Sequence, residues 1–157
     1  MKQIPIKFLL NPVHLLSLGF GSGCVPKAPG TMGTLVGVLL YMVLRELRWE
    51  YYLAVVLLLC LAGVWLCGYS ARALGVHDHP AIVWDEICGY LLTMCFAPVG
   101  WGWILAGFLL FRAFDICKPW PISLLDKGLK GGLGIMADDL LAAIFSLTIL
   151  QLIAYIL

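Results

Sequence analysis

The sequence predicts an all-α fold: a polytopic membrane helical bundle of about six helices, about five of them membrane-spanning or membrane-embedded. Three observations predict it. Hydrophobic residues make up 62% of the 157 and charged residues only 12%, against roughly 45–50% and 25% in soluble domains. Mean hydropathy is +1.00, more apolar side chain than so small a volume can hide from water. The stretch "YYLAVVLLLCLAGVWLCGY" (51–69) runs 19 residues without a charge, long enough to cross a bilayer core. The length allows one domain, 1–157, and a net charge of +1 sets up no field for nucleic acid.

The elements follow in order. Lys2 and Lys7 precede an apolar stretch broken by Asn11, Pro12 and His14 with no small-x-small cleavage site, so this segment reads as mature protein rather than a signal peptide. Asn11-Pro12 supplies an N-cap and first helical position for a short helix to about Leu18. "GFGSGCVPKAPGT" (19–31) is a loop, after which Thr31 or Thr34 caps a helix that fades at Arg45. Residues 87–111 are uncharged, but "APVGWG" (97–102) turns the chain. Each half is then eleven residues or about 16 Å, too short for a core of about 30 Å. Extending both outward, from Pro80 and to Lys118, gives about eighteen residues apiece. "PWPISLLDKGLKGGLG" reads as a loop, and Asp138 begins the last helix.

Charge placement supports the turn at Pro98. With five spans, eight of the ten basic residues fall on one side and only Arg45 and Arg48 on the other. The positive-inside rule puts the eight in the cytoplasm. The six cysteines form no C-x-x-C pair and read as reduced, structural thiols.

The same topology sorts the acids. Asp78, Asp85, Glu86, Asp115, Asp126, Asp138 and Asp139 lie at cytoplasmic ends. Asp85, Glu86 and Asp115 sit inside helices, where ionisable groups are costly and face a polar cavity or a partner. Pairing with Arg112, Lys118 and Arg72 would account for some of them, but the acids outnumber the local bases. An oxygen-rich pocket with few histidines suits Mg²⁺. Zinc lacks a third His or Cys at ligand spacing beside His77 and His79. His77 or His79 reads equally as a proton-transfer group or an ordinary loop histidine. Ser22, Thr31, Thr34 and nearby backbone N–H groups suit an anionic phosphate. Trp84 and Trp120 read as interfacial anchors or headgroup contacts.

Metal, phosphate cradle and cytoplasmic face suggest phosphoryl chemistry on a lipid headgroup. There is no C-x5-R phosphate loop, no D-x-D nucleophile motif and no D-G-x-x-A-R run; water activated by a metal is what remains. A competing class is a small transporter or channel moving cations or protons through buried carboxylates, whose acids should lie at the midplane instead of one face.

Three blocks, "GFGSGCVPKAPGTMGT" (19–34), "GVHDHPAIVWDEICG" (75–89) and "FRAFDICKPWPISLLDKGLKGGLGIMADDLLA" (111–142), resemble the phosphatidylglycerophosphatase A family of bacterial inner-membrane phosphatases. The order of P-G-T-x-G-T, W-D-E, D-x-x-K-P-W-P and D-D carries the resemblance. It implies Mg²⁺-dependent hydrolysis of phosphatidylglycerophosphate to phosphatidylglycerol and inorganic phosphate, by a multi-pass protein whose active site faces the cytoplasm. On that footing Asp85, Glu86, Asp115, Asp138 and Asp139 are the candidate metal cluster. Adjacent helical residues diverge by about 100°, so each D-E or D-D pair should supply one ligand and one supporting group or base. Arg112 and Lys118 neutralise the phosphoryl group, Ser22, Thr31 and Thr34 hold the phosphate, and His77 or Asp78 assists proton transfer. Asp126 reads as a solvated partner of Lys127 or Lys130.

Overall fold

The computed structural model describes residues 4–76 and 79–157, apart from the side chains of Ile6, Asp126 and Lys127. All regular structure among them is helical: α1 Ile6–Leu9, α2 Pro12–Ser17, a 3-10 segment Gly19–Cys24, α3 Pro29–Leu44, α4 Trp49–Leu74, α5 Trp84–Thr93, α6 Trp101–Cys117, α7 Ile122–Gly128 and α8 Gly131–Ile156. α4 and α8 are long and apolar enough to cross a membrane. The outer faces carry exposed Leu39, Val43, Leu58, Leu61, Leu105, Leu109 and Ile153, a surface suited to lipid.

α5 is the centre, packed by α3, α4, α6 and α8. It has ten residues, nearly all buried, instead of the eighteen expected from Pro80. Residues ahead of Trp84 are held out of the helix: Val83 N–H donates to Ser17 O at 3.0 Å, and Ala81 N–H donates to His79 Nδ1 at 3.1 Å. At the other end, the Tyr52 hydroxyl donates to Leu91 O at 2.6 Å and Gln151 Nε2 to Cys95 O at 3.1 Å. A short helix can end inside an apolar bundle because side chains meet its orphan carbonyls. The Trp49 and Phe96 rings stand 5.8 Å apart, so the α3–α4 and α5–α6 connections share one end of the bundle.

Helix starts differ most from expectation. Asn11 does cap α2, accepting Val13 N–H at 2.9 Å with Pro12 at the first position. α3 is not capped by Thr31 or Thr34; it starts at Pro29 from a left-handed Ala28. Thr34 lies within it, its hydroxyl donating to Gly30 O at 2.9 Å. α7 occupies what reads as loop. α8 begins at Gly131, seven residues before Asp138, because "GGLG" is a packing surface rather than a loop. A Cβ on Gly132 would overlap Val64 O and stand 2.7 Å from Gly68 N. The glycine therefore permits the close crossing of α4 and α8.

Gly132→Ala should force those helices apart, an overpacking cost of about 1–3 kcal/mol. Thermal unfolding in detergent should show a clear drop in Tm. Gly128→Ala, where an added Cβ meets nothing within 4 Å, should show none; equal Tm for both variants would contradict this packing.

Candidate active site

At the end of the bundle away from Trp49 and Phe96 lies a pocket of about 230 Å³. Its walls come from four places: Ala28, Pro29 and Gly30 at the start of α3, Pro80, Ile82, Asp85 and Glu86 around the start of α5, Arg112, Asp115, Ile116 and Lys118 at the end of α6, and Asp138 and Asp139 within α8. Because α8 starts early, Asp138 and Asp139 stand two turns inside it, only 6% and 4% exposed. They are therefore too deep to serve as simple partners of the helix dipole, whose effect fades within the first turn. Asp85 and Asp115 are buried to a similar degree.

The five expected acids converge, and the structure divides them. Asp85, Glu86 and Asp139 each offer an oxygen, all three within 4.8 Å of one another. Asp115 pairs with Arg112, and Asp138 Oδ2 accepts from Lys118 Nζ at 2.5 Å. Arg112 Nη1 also stands 3.9 Å from Glu86 and 3.5 Å from the Thr34 hydroxyl. The D-D pair separates as its helical geometry predicts, Asp139 to the cluster and Asp138 to a base. The D-E pair does not: at the first turn of α5, Glu86 is long enough to join Asp85 in the same cluster. Room for it comes from Gly30, where a Cβ would overlap Glu86 Oε1 and stand 3.2 Å from Arg112 Nη1.

No cation is needed to see that one fits. Buried like charges repel strongly and each ion loses its hydration, several kcal/mol apiece, unless compensated. Asp85 Oδ1, Glu86 Oε2 and Asp139 Oδ2 are buried with no hydrogen-bond partner among the described residues. The carboxylates of Asp85, Glu86 and Asp139 crowd one another, and Asp115 lines the same pocket. The donor set is all carboxylate, the chemistry that suits a hard divalent ion.

Other expected residues fall elsewhere. Ser22, Thr31 and Thr34 do not line the pocket, which takes Ala28, Pro29 and Gly30 from that block instead. Ser22 Oγ and Thr34 are buried. His77 and Asp78 lie outside the described residues. His79 accepts a backbone N–H through Nδ1 and faces a separate apolar pocket with Phe8 and Leu74. Trp84 is neither an interfacial anchor nor a headgroup contact: it is 4% exposed and donates Nε1–H to Leu59 O at 3.2 Å. Trp120 is exposed. Sequence reasoning missed Gly30 as the residue that makes space for Glu86, although it sits in the P-G-T-x-G-T block.

Fold and pocket define a class: a small all-helical protein of membrane type, apolar outside, with carboxylates and two cationic groups gathered at one end. Residues 15–154 match the family model for phosphatidylglycerophosphatase A. The chain belongs to the phosphatidylglycerophosphatase A family. It is 46% identical to Phosphatidylglycerophosphatase A of Escherichia coli K12 over 92% of this chain and 85% of the relative. It is 47% identical to Phosphatidylglycerophosphatase A of Haemophilus influenzae over 94% of this chain and 91% of the relative. A protein of Bacteroides thetaiotaomicron, named provisionally as a phosphatidylinositol-3-phosphatase, is 34% identical over 91% of this chain and 94% of its own. No solved structure matches the chain.

Proposed function

We propose that this pocket hydrolyses the phosphomonoester of phosphatidylglycerophosphate with the help of Mg²⁺ held by Asp85, Glu86 and Asp139, at the cytoplasmic face of a bacterial inner membrane. The observation that carries the cation assignment is the meeting of one oxygen from each of Asp85, Glu86 and Asp139 within 4.8 Å, beside two fixed cations. Each of the three carboxylates also has a buried oxygen without a hydrogen-bond partner among the described residues. The products are phosphatidylglycerol and inorganic phosphate. Family membership supports the reaction and the substrate.

When bound, Mg²⁺ supplies Lewis-acid stabilisation of the phosphoryl oxygens and makes water a better nucleophile. The remaining work falls to this chain's own groups. Asp115 orients Arg112 and Asp138 orients Lys118, so both cations are held before substrate arrives. Fixed positive groups of this kind stabilise charge that builds on the transferring phosphoryl group without reorganising. The start of α3 at Pro29 and Gly30 turns the positive end of a helix dipole toward the same space. An oxygen of the acid cluster accepts a proton from the attacking water, and the bond from phosphorus to the glycerol-linked oxygen breaks in line. That proton passes to the departing oxygen, which leaves as the alcohol of phosphatidylglycerol, and the carboxylate is restored.

Five membrane elements fit this assignment: α3, α4, α6 and α8 cross, and α5 with its flanking turns is embedded. Arg45 and Arg48 then lie with Trp49 and Phe96 at one end, while Lys27, Arg72, Arg112, Lys118 and Lys130 lie at the site's end, in accord with the positive-inside rule. The acids gather at that end instead of the midplane, which favours hydrolysis over ion transport.

The test is phosphate release by purified protein in detergent. Substrates are phosphatidylglycerophosphate, phosphatidylinositol 3-phosphate and soluble glycerol 3-phosphate. Phosphatidylglycerophosphate should be turned over fastest, and EDTA should cut release by about a hundredfold or more, equal to roughly 3 kcal/mol of barrier. Excess Mg²⁺ should restore it. Undiminished release in EDTA contradicts the cation assignment, and ion flux in liposomes without phosphate release contradicts the reaction.

A further inference from the structure

Beneath the lead-in to α5 lies a buried polar network that touches none of the reacting groups. Ser17 and Ser70 are wholly buried and His14 is 7% exposed. The two hydroxyls meet at 2.6 Å, and Ser70 Oγ is 2.7 Å from His14 Nδ1. Ser17 Oγ also reaches the carbonyl of His14 at 3.0 Å. The imidazole is held between the rings of Phe8 and Tyr69, with centroids 4.4 and 5.2 Å away.

Each hydroxyl has one proton to donate. It can run from Ser17 to Ser70 to His14 Nδ1, or from a protonated Nδ1 through Ser70 to Ser17 and on to the His14 carbonyl. Both directions satisfy the network. Alanine would fill the serine positions without the cost of burying hydroxyls, so packing alone does not account for them. A satisfied network rigidifies what it joins, and here it joins the last turn of α2 to α4. The carbonyl at that last turn, Ser17 O, accepts the N–H of Val83 at 3.0 Å. Val83 is the residue whose own carbonyl takes the first helical bond of α5, from Ile87 N–H at 3.2 Å. Trp84, Asp85 and Glu86 come directly after it.

We infer that His14, Ser17 and Ser70 are positioning residues for the acid cluster: they set the depth and rotation at which α5 begins, and so bring Asp85 and Glu86 to Asp139. The inference rests on the cation assignment proposed above. It predicts that the network controls cation affinity while contributing nothing by direct contact.

The test uses full-length protein in detergent, stripped with EDTA and titrated with Mn²⁺, the free ion being followed by its EPR signal. Ser70→Ala and Ser17→Ala should each weaken Mn²⁺ binding by about three- to tenfold, somewhat under the effect of losing a group that directly orients a ligand. The double variant should be no weaker than the worse single one, because the two act as one unit. Turnover at saturating Mg²⁺ should stay within about twofold of wild type, since added cation offsets weakened binding by mass action. Variants that unfold at lower temperature yet bind Mn²⁺ with wild-type affinity overturn the inference, because the network is then only structural. Binding unchanged in both variants overturns it too. Wild-type protein that shows no saturable Mn²⁺ binding overturns the cation assignment itself, a separately readable failure.

Discussion

Asp139→Asn is expected to abolish phosphate release, by about a thousandfold or more, which corresponds to roughly 4 kcal/mol of barrier. The substitution keeps the size of the side chain and removes a carboxylate that is 4% exposed and has a partnerless oxygen. Nothing in the packing of α8 requires its charge. Removing one of several converging buried charges should leave the metal-free protein as stable as wild type or more so. The expected result is thus a split: activity lost, while Tm in EDTA is unchanged or higher. Asp85→Asn should behave the same way, because its carboxylate belongs to the same group of three. Near-normal turnover in both variants would contradict the cluster, and loss of folding in both would make the acids structural.

Gly30→Ala carries the second large effect, and it works through shape alone. A Cβ there overlaps Glu86 Oε1 and approaches Arg112 Nη1 to 3.2 Å. The obstructed atom is the far end of a flexible side chain, so the fold can yield by moving the Glu86 carboxylate. Alanine also gains about 1 kcal/mol over glycine in helix propensity, so stability should hold. Turnover should nevertheless fall about ten- to a hundredfold, the range seen when a ligand's orientation is disturbed. Shortening the displaced side chain, in Gly30→Ala/Glu86→Asp, should recover part of that loss. Phosphate release with Mg²⁺ in the three proteins, beside their melting curves, checks it. Full activity in Gly30→Ala would show that Glu86 need not stand where it does.

Much of this was legible in the chain. The excess of apolar residues, the break at Pro98 and the gathering of eight of the ten basic residues on one side led to a helical membrane bundle with acids at one end. The W-D-E, D-x-x-K-P-W-P and D-D motifs carried the five acids and Lys118, and Arg112 stands three residues ahead of the second; all of them now line one pocket. What escaped was set by tertiary packing. "KGGLG" reads as a loop because glycine is a poor helix former, yet Gly132 is helical because only a bare backbone fits against Val64 and Gly68. That shift of seven residues turned Asp138 and Asp139 from a helix start into a buried pair. Pro80 looked like a helix start, but the N–H of Val83 is taken by a carbonyl 66 positions earlier in the chain, Ser17 O, a contact no local pattern announces. The reach of Glu86 over Gly30, and the burial of Trp84 against α4, likewise depend on helices distant in sequence.

The central claim is that Asp85, Glu86 and Asp139 hold a divalent cation. The measurement that tests it most directly is equilibrium binding of Mn²⁺ to EDTA-stripped protein, wild type against the triple variant Asp85→Asn/Glu86→Gln/Asp139→Asn. Saturable binding to the wild type, displaced by Mg²⁺ and absent from a folded triple variant, is the predicted result. Equal binding to both proteins would place the cation elsewhere and contradict the account.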